Sequence, residues 1–224
     1  MVACKWFEKQ NVVTMKRIKN TEEPWVDMPK SAARKLSATD RPNSPRLTRE
    51  QWLERGLRLL EQQGPGVMNV ETLTRHMGVT TGSFYWHFKN HYAFLEALME
   101  IWAQETTYDV VNSLETVDDL PPEEKLREVM SHVIGAGLSG LDISFRGLAM
   151  NYPKLGKKIR EIDAYRSGVI TDLFEAAGYS GDALQMRVHA FLVLSALESG
   201  VQTPLAPEDR LRLLDERMRL LLAD

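Results

Sequence analysis

Residues 80–89 concentrate side chains that can hydrogen-bond to phosphate groups and to the edges of bases. Threonine and serine hydroxyls both donate and accept hydrogen bonds, and a glycine lets another molecule approach the backbone closely. Aromatic and imidazole groups carry polar tips that reach phosphate oxygens, and a lysine adds positive charge. This chemistry predicts contacts to double-stranded DNA from Thr80, Thr81, Gly82, Ser83, Tyr85, Trp86, His87 and Lys89.

Two short helices must present these groups, and the sequence contains their start and stop signals. Asn69 is a typical N-cap residue and a further candidate for DNA contact; the apolar spacing behind it predicts a helix through Met77. Gly78 suits a tight turn because glycine adopts positive φ, and Thr80 caps a second helix over residues 81–88. Such a pair forms a helix-turn-helix, whose second helix enters the major groove of DNA.

A helical hairpin whose aromatic residues only fill a core is the alternative interpretation of this segment. Phe84 and Phe88 fit that alternative, and Leu73 and Met77 pack the two helices together in either case. The adjacent residues 85–87 do not fit it, because three neighbouring residues of a helix cannot all point inward. The pattern therefore favours a helix that exposes polar and aromatic groups to a partner.

Metal binding and catalysis find little support in the sequence. His87 and His91 are four residues apart, a spacing that two zinc ligands can have, but the break expected at Lys89 and Asn90 puts them on different helices. Residues 103–224 contain no glycine-rich phosphate loop and no nucleophile elbow. We expect no metal, no cofactor and no enzymatic activity.

The whole chain reads as an all-α protein, with no strand alternation. Apolar periodicity and capping signals predict nine helices: one from Thr48 to the stop at Gly64-Pro65-Gly66, then 69–77, 81–88, 91–117, 122–138, 142–150, 153–178, 182–201 and a last one ending at Leu222. Thr48 and Gln51 have capping-box spacing, and Leu47 and Trp52 have the spacing of a hydrophobic staple.

Residues 1–45 are expected to form a flexible basic extension, because prolines and polar residues dominate them. Met15 and Met28 are both possible initiators, so we hypothesise that part of residues 1–27 does not belong to the working protein. The remaining chain is predicted to divide into residues 46–92, which hold the helix-turn-helix, and a helical domain over residues 93–224.

Charge is unevenly distributed along the chain. The net charge of −3 excludes a uniformly basic protein, but residues 1–48 carry +5, residues 49–102 carry −1 and residues 103–224 carry −7. Such an uneven distribution of charge indicates that the amino-terminal end faces a polyanion.

Cys4 is the single cysteine, which excludes an internal disulfide and favours a cytoplasmic location. The longest apolar run, residues 190–197, is too short to span a membrane.

Residues 47–102, LTREQWLERGLRLLEQQGPGVMNVETLTRHMGVTTGSFYWHFKNHYAFLEALMEIW, resemble the amino-terminal domain of the tetracycline-repressor (TetR) family. The resemblance implies a homodimeric transcriptional regulator, usually a repressor that a small molecule releases from a palindromic operator. It also implies that the positions of Thr81, Gly82, Ser83 and Trp86 face bases or sugar edges, whereas those of Thr48, Tyr85, His87 and Lys89 hold phosphates.

Two positions depart from the family pattern, and two other functions stay open. Glu71 stands where a basic residue is frequent in the family, and His91 replaces a frequent lysine. The surface that would contact the DNA phosphates therefore carries less positive charge. The basic segment 30–46 is a candidate to compensate. The alternatives are a ligand-independent or activating DNA-binding regulator and, from another class, an all-helical enzyme or binding module.

The second domain is expected to bind a ligand and to dimerise. The apolar residues of 182–201 cannot all face one core, and with the last helix they predict a four-helix interface between two subunits through about residues 182–222; the alternative is that both helices only complete a monomer core. Arg146 and Arg166 are either anion anchors or surface charges. Aromatic and methionine side chains suit an apolar ligand, so the candidates are Trp102, Tyr108, His132, Phe145, Met150, Tyr165 and Phe174.

Overall fold

The computed structural model describes residues 47–197, Gly200 and residues 207–223. The basic extension of residues 1–45, the end of the helix predicted over 182–201 and the segment before the last helix lie outside these residues.

Regular structure in the described residues is entirely helical, which confirms the all-α prediction. None of these helices is long and apolar enough to cross a membrane. The α-helices are α1 (Arg49–Gln63), α2 (Val70–Met77), α3 (Thr81–His87), α4 (His91–Ala103), α5 (Asp109–Glu115), α6 (Pro122–Ala136), α7 (Ser139–Ala149), α8 (Pro153–Ala176), α9 (Gly181–Leu197), α10 (Pro207–Arg212) and α11 (Leu214–Leu222).

Two of the nine predicted helices are divided in the structure. The helix predicted over residues 91–117 consists of α4, a π-helical turn at Gln104–Tyr108, and α5. The last predicted helix is interrupted at Leu213, which separates α10 from α11. The other boundaries differ from the predicted ones by only a few residues, apart from the carboxyl end of α9, which lies next to residues that are not described.

Local signals set the start of α1 as the sequence predicts. The backbone N–H of Gln51 donates to the Thr48 hydroxyl at 3.2 Å, and the Thr48 N–H donates to Gln51 Oε1 at 2.9 Å, which completes the capping box. Leu47 and Trp52, the hydrophobic-staple pair, are both buried in one apolar cluster. These contacts satisfy N–H groups that would otherwise lack partners at the helix end.

The first buried cluster joins the two predicted domains. It contains residues of α1 to α4, and it continues into α7 through Leu141, Phe145 and Leu148 and into α8 through Leu155 and Ile159. No gap in the buried core therefore marks the predicted boundary at residues 92 and 93. The helix-turn-helix and the first part of the second domain share one hydrophobic core.

The second buried cluster lies farther along the chain and unites α6, α8, α9 and α11. Leu184, Val188 and Phe191 face inward from α9, while Leu194 and Leu197 stay largely exposed, so α9 has two apolar faces. By contrast, the apolar face of α11, with Met218, packs into this cluster within one chain.

Candidate nucleic-acid interface and ligand cavity

Helix α3 is held in place by aromatic packing beneath it. The ring of Phe84 is fully buried, with its centroid 5.4 Å from the ring of Trp52 on α1 and 5.4 Å from that of Phe94 on α4. Phe88, just after α3, packs against Phe94 at 4.9 Å. Edge-to-face contacts of this kind favour one orientation of the helix. The inner face of α3 is thereby fixed to both α1 and α4.

With Phe84 inside, the neighbouring side chains of α3 must point to solvent, because successive helical residues are about 100° apart. Trp86 is 85% exposed and Tyr85 is 54% exposed, which is unusual for aromatic residues next to a core. Ser83 and His87 are partly exposed. The structure brings these groups onto one surface together with the exposed residues Thr80, Thr81, Gly82 and Lys89.

The turn between α2 and α3 has the geometry that the sequence predicts. Gly78 ends α2 with φ of 64° and ψ of 29°, a left-handed conformation that favours glycine. Asn69 accepts a hydrogen bond from the Thr72 N–H at 2.9 Å, and Thr80 accepts one from the Ser83 N–H at 3.3 Å. Asn69, Thr80 and the α1 N-cap Thr48 thus each cap the start of a helix and are exposed. Their contact with DNA stays a prediction.

The carboxylate of Glu71, a departure from the family pattern, is paired within its own helix. Arg75 Nη2 lies 2.9 Å from Glu71 Oε1, one turn along α2, and both side chains are exposed. At the start of α1, hydrogen bonds from the backbone and from Thr48 lower the pKa of Glu50 below its ordinary value. This carboxylate is charged at neutral pH and would oppose the phosphate predicted near Thr48, whereas the charge of Glu71 is partly balanced.

His91, the second departure, links the two domains. Its Nε2 faces the carbonyl oxygen of Met68, in the segment between α1 and α2, and therefore donates to it. In the neutral tautomer Nδ1 accepts from the hydroxyl of Tyr152, at 3.2 Å, just before α8. Neither partner is close to His91 in sequence, so no local signal could have identified this contact.

A cavity of about 420 Å³ lies in the second domain, between the continuation of α4 and helices α6 to α9. This volume is within the range of small-molecule sites. Its walls are largely aliphatic, with polar groups from the π-helical turn, α7 and α8. The lining residues are Thr106, Thr107, Val110, Val111, Leu114, Val129, Val133, Leu138, Ser139, Asp142, Arg146, Asp163, Arg166, Val169, Ile170, His189, Phe191, Leu192, Val193, Ser195, Ala196 and Leu197.

Four charged residues of this lining form one ion network, which comprises Asp142, Arg146, Asp163 and Arg166. Arg146 binds Asp163 through two hydrogen bonds of 2.8 Å each and donates from Nε to Asp142 at 2.7 Å. Arg166 donates to the other oxygen of Asp142 at 2.6 Å. The hydrogen bonds from Arg146 to Asp163 raise the pKa of its guanidinium above the ordinary value, despite burial.

The π-helical turn presents two adjacent hydroxyls to Arg166. Arg166 Nε donates to Thr107 Oγ1 at 2.7 Å, and Nη2 donates to Thr106 Oγ1 at 3.0 Å. The guanidinium also lies 5.1 Å from the ring centroid of Trp102, within cation–π range. Both threonines of the π-helical turn thus accept from one guanidinium, although neighbouring side chains of a regular α-helix diverge by about 100°.

None of the sequence-predicted ligand residues is among the residues that line the cavity. Trp102, Phe145 and Phe174 are fully buried in the two clusters, and the rings of Tyr108 and Tyr165 lie 5.5 Å apart on a partly exposed surface. Met150 is almost fully exposed, and His132 is not in the lining either. Arg146 and Arg166, left open between anion anchors and surface charges, do line the cavity. Trp102, Phe145 and Phe174 pack in the hydrophobic core instead.

A signal for the polar wall was nevertheless present in the sequence. Asp142 and Arg146 are four residues apart, and Asp163 and Arg166 are three apart, both within helices. Each spacing puts opposite charges on one helix face. Two such pairs on consecutive helices indicate a charged contact between those helices.

Three comparisons with known proteins bear on these surfaces. Residues 53–98 match the family model described as bacterial regulatory proteins, tetR family. The HTH-type transcriptional regulator AcrR of Shigella flexneri is 34% identical over 89 residues, which cover 39% of this chain and 40% of AcrR. The match to this curated relative thus spans less than half of its length.

Solved structures share the fold over most of the chain. A transcriptional regulator from Rhodococcus sp. Rha1 superposes with a TM-score of 0.63 at 16% identity, covering 79% of this chain and 96% of its own. The structure of AibR in complex with isovaleryl coenzyme A and operator DNA superposes with a TM-score of 0.61 at 19% identity, covering 80% and 98%. At these identities the likeness establishes the helical fold.

Proposed function

The chain belongs, by its amino-terminal domain, to the TetR family of bacterial regulatory proteins, and we propose that it is a transcriptional regulator that binds operator DNA as a homodimer and is released by a small molecule. It works by binding and not by catalysis, and it acts in the cytoplasm, where its DNA is. The alternative of a regulator without a ligand is disfavoured by the cavity of about 420 Å³ in the second domain.

The exposed surface of α3 is the observation that carries this proposal. Trp86 is 85% exposed, and this large aromatic side chain stands beside hydroxyl, imidazole and amine groups. Such a surface fits the major groove, where Ser83 and Trp86 meet base edges while Tyr85, His87 and Lys89 meet phosphates.

A second copy of the chain is the proposed partner of the outer face of α9. Val193, Leu194 and Leu197 are about two-fifths exposed there, and Val193 and Leu197 also border the cavity, although the inner face of the same helix already fills the core. In a two-fold symmetric dimer this face packs against itself, and α11 supports it from within its own subunit. The two α3 helices then bind half-sites that are about one turn of the DNA helix apart, or a multiple of that distance.

Release is proposed to operate through the long helix that connects the domains. Thr106, Thr107 and Val110 line the cavity at the carboxyl end of this helix, while His91 at its start contacts the segment before α2. A ligand that prefers a different position of this helix shifts the population toward a state in which the two α3 helices no longer fit both half-sites.

Selection of bound fragments from a random DNA library tests the proposal. The full chain should enrich an inverted repeat, and fluorescence anisotropy should then give specific binding that Trp86→Ala abolishes or redirects. The variant Met150→Ala, which alters an 87% exposed residue outside the cavity lining and outside the proposed α9 interface, is the control for loss of exposed apolar surface. The proposal fails if no sequence is enriched, or if both variants bind DNA like the parent protein.

A further inference from the structure

The ion network in the cavity is electrically balanced. The described lining contains two arginines and two aspartates, and each charge has an opposite partner at 2.6–2.8 Å. His189 is the one other titratable residue among the described lining residues, and it stands on α9. The cavity therefore offers no uncompensated charge to a ligand.

The network still has hydrogen-bonding capacity. Each terminal nitrogen of the two guanidinium groups carries two hydrogens, and the contacts within the network use one of them. Thr106 donates to the carbonyl of Trp102 at 2.7 Å, whereas the hydroxyl hydrogen of Thr107 has no acceptor among the described contacts. A ligand atom at this wall meets N–H and O–H donors whose charges are already neutralised.

From this balance we propose that the cavity takes an uncharged, mainly apolar molecule that carries one hydrogen-bonding group, such as an ester, a ketone or an alcohol. The inference rests on the proposed function, because it specifies the ligand class of the same site. A carboxylate would add a third negative charge beside Asp142 and Asp163 in an aliphatic cavity, and an ammonium group would add a third positive charge beside Arg146 and Arg166. Burial of either charge without a counterion is unfavourable.

The size and wall chemistry agree with this ligand class. A volume of about 420 Å³ is roughly that of 14 water-sized units at 30 Å³ each. Val110, Val129, Val133 and Ile170 give aliphatic walls away from the ion network. An acyl chain of medium length fits this space, with its polar end at Arg166.

Calorimetric titration of the full chain at pH 7.5 with three probes built on an eight-carbon chain tests the inference. Methyl octanoate is uncharged, octanoate is an anion and octylammonium is a cation of nearly equal length. We expect methyl octanoate to bind at least about tenfold more tightly than either ion, because one unbalanced neighbouring charge is worth about one pK unit or more.

Charge variants give an independent arm. Asp163→Asn leaves the network with one positive charge in excess, so octanoate should gain about tenfold in affinity while methyl octanoate changes little. Arg146→Gln has the mirror effect and should favour octylammonium. Asp172→Asn removes the same charge from an exposed position of α8 outside the lining, and it should change none of the three affinities.

Each result of these titrations either supports or overturns the inference. The inference is overturned if an ion binds the parent protein as tightly as methyl octanoate, if methyl octanoate does not bind at 0.5 mM, or if Asp163→Asn folds by circular dichroism yet gains nothing for octanoate. Operator binding is followed in parallel by anisotropy. If methyl octanoate binds with the expected preference and DNA stays bound, the release mechanism fails and the inference stands.

Discussion

The hydroxyl of Tyr152 and Nδ1 of His91 lie 3.2 Å apart, across the contact between the second domain and the start of α4. The same imidazole donates to the Met68 carbonyl, so one ring bridges the loop before α8 and the segment before α2. If α8 moves relative to α4, the hydrogen bond between Tyr152 and His91 must either break or move His91 with it. This contact therefore lies on the proposed route from the cavity to the DNA.

Tyr152→Phe tests this bridge. Loss of one partly buried hydrogen bond should lower the free energy of unfolding by about 0.5–1.5 kcal/mol, measured by urea denaturation. Ligand-dependent release of DNA should weaken more than DNA binding itself. Tyr92→Phe is the matched control, since the Tyr92 hydroxyl has no partner among the described hydrogen bonds. Equal behaviour of the two variants would show that the bridge carries no coupling.

Gly82→Ala separates folding from DNA binding. A Cβ at this position meets only Thr80 Oγ1, at 3.7 Å, so the free protein has room for it. Because alanine favours helix over glycine by up to about 1 kcal/mol, we expect equal or higher stability. DNA affinity should nevertheless fall, since the methyl group occupies the surface that we propose meets the groove. Gly168→Ala on α8, also in open space, should stabilise without any effect on DNA. Unchanged affinity of Gly82→Ala would place this glycine away from DNA.

Lys89→Gln addresses the phosphate contacts. We expect weaker binding of all DNA sequences to a similar degree, and a slope of log K against log salt that is smaller by about one per subunit. Anisotropy titrations at several salt concentrations measure both quantities. Lys157→Gln, which removes an exposed lysine from α8, serves as the control. An unaltered salt slope would mean that Lys89 does not neutralise a phosphate.

Trp86→Ala should change sequence preference instead. Its side chain is 85% exposed, so truncation should leave the free energy of unfolding within about 0.5 kcal/mol of the parent value. Removal of a base-edge contact costs about 1–3 kcal/mol at the affected base pair alone. Competition between operator variants with single substitutions detects this. A uniform loss across all variants would assign Trp86 to the DNA backbone.

His132 predicts a pH dependence of stability. Burial lowers the pKa of His132 below its ordinary value of 6.5, so the folded protein keeps the ring neutral where the unfolded chain binds a proton. Stability should therefore fall as the pH decreases through 6.5, until the lowered pKa is passed, with a limit of about 1.4 kcal/mol per pH unit. Urea denaturation between pH 8 and 5 should show a shallower decline in His132→Gln. Parallel curves for variant and parent across that window would contradict the burial effect.

Local chemistry explains what the sequence revealed. The starts of α1, α2 and α3 follow from Thr48, Asn69 and Thr80, and the turn follows from Gly78, because each acts on backbone groups within a few residues. The outward position of Trp86 follows from the helical period once Phe84 is assigned to the core. These features needed no knowledge of distant contacts.

Distant contacts explain what the sequence did not reveal. The π-helical turn at Gln104–Tyr108 accompanies hydrogen bonds to Arg166, about sixty residues away, and no local pattern encodes it. The cavity was expected among aromatic residues, but Trp102 and Phe145 stack on each other in the core at 4.9 Å. Its apolar lining consists mostly of valines and leucines, which sequence reasoning assigns to any helix core.

The shared first core has a consequence for exchanging parts between regulators of this fold. Leu95, Leu98 and Trp102 on α4 belong to one buried cluster with residues of α7 and α8, and a Cβ on Gly147 of α7 would lie 3.0 Å from the ring of Pro65. A chimaera joined at residues 92 and 93 would cut through this core and match two surfaces that did not evolve together. The unit that can be transferred intact is therefore the helix-turn-helix together with α4, α7 and the first half of α8. Ligand specificity should instead be altered by substituting residues that line the cavity.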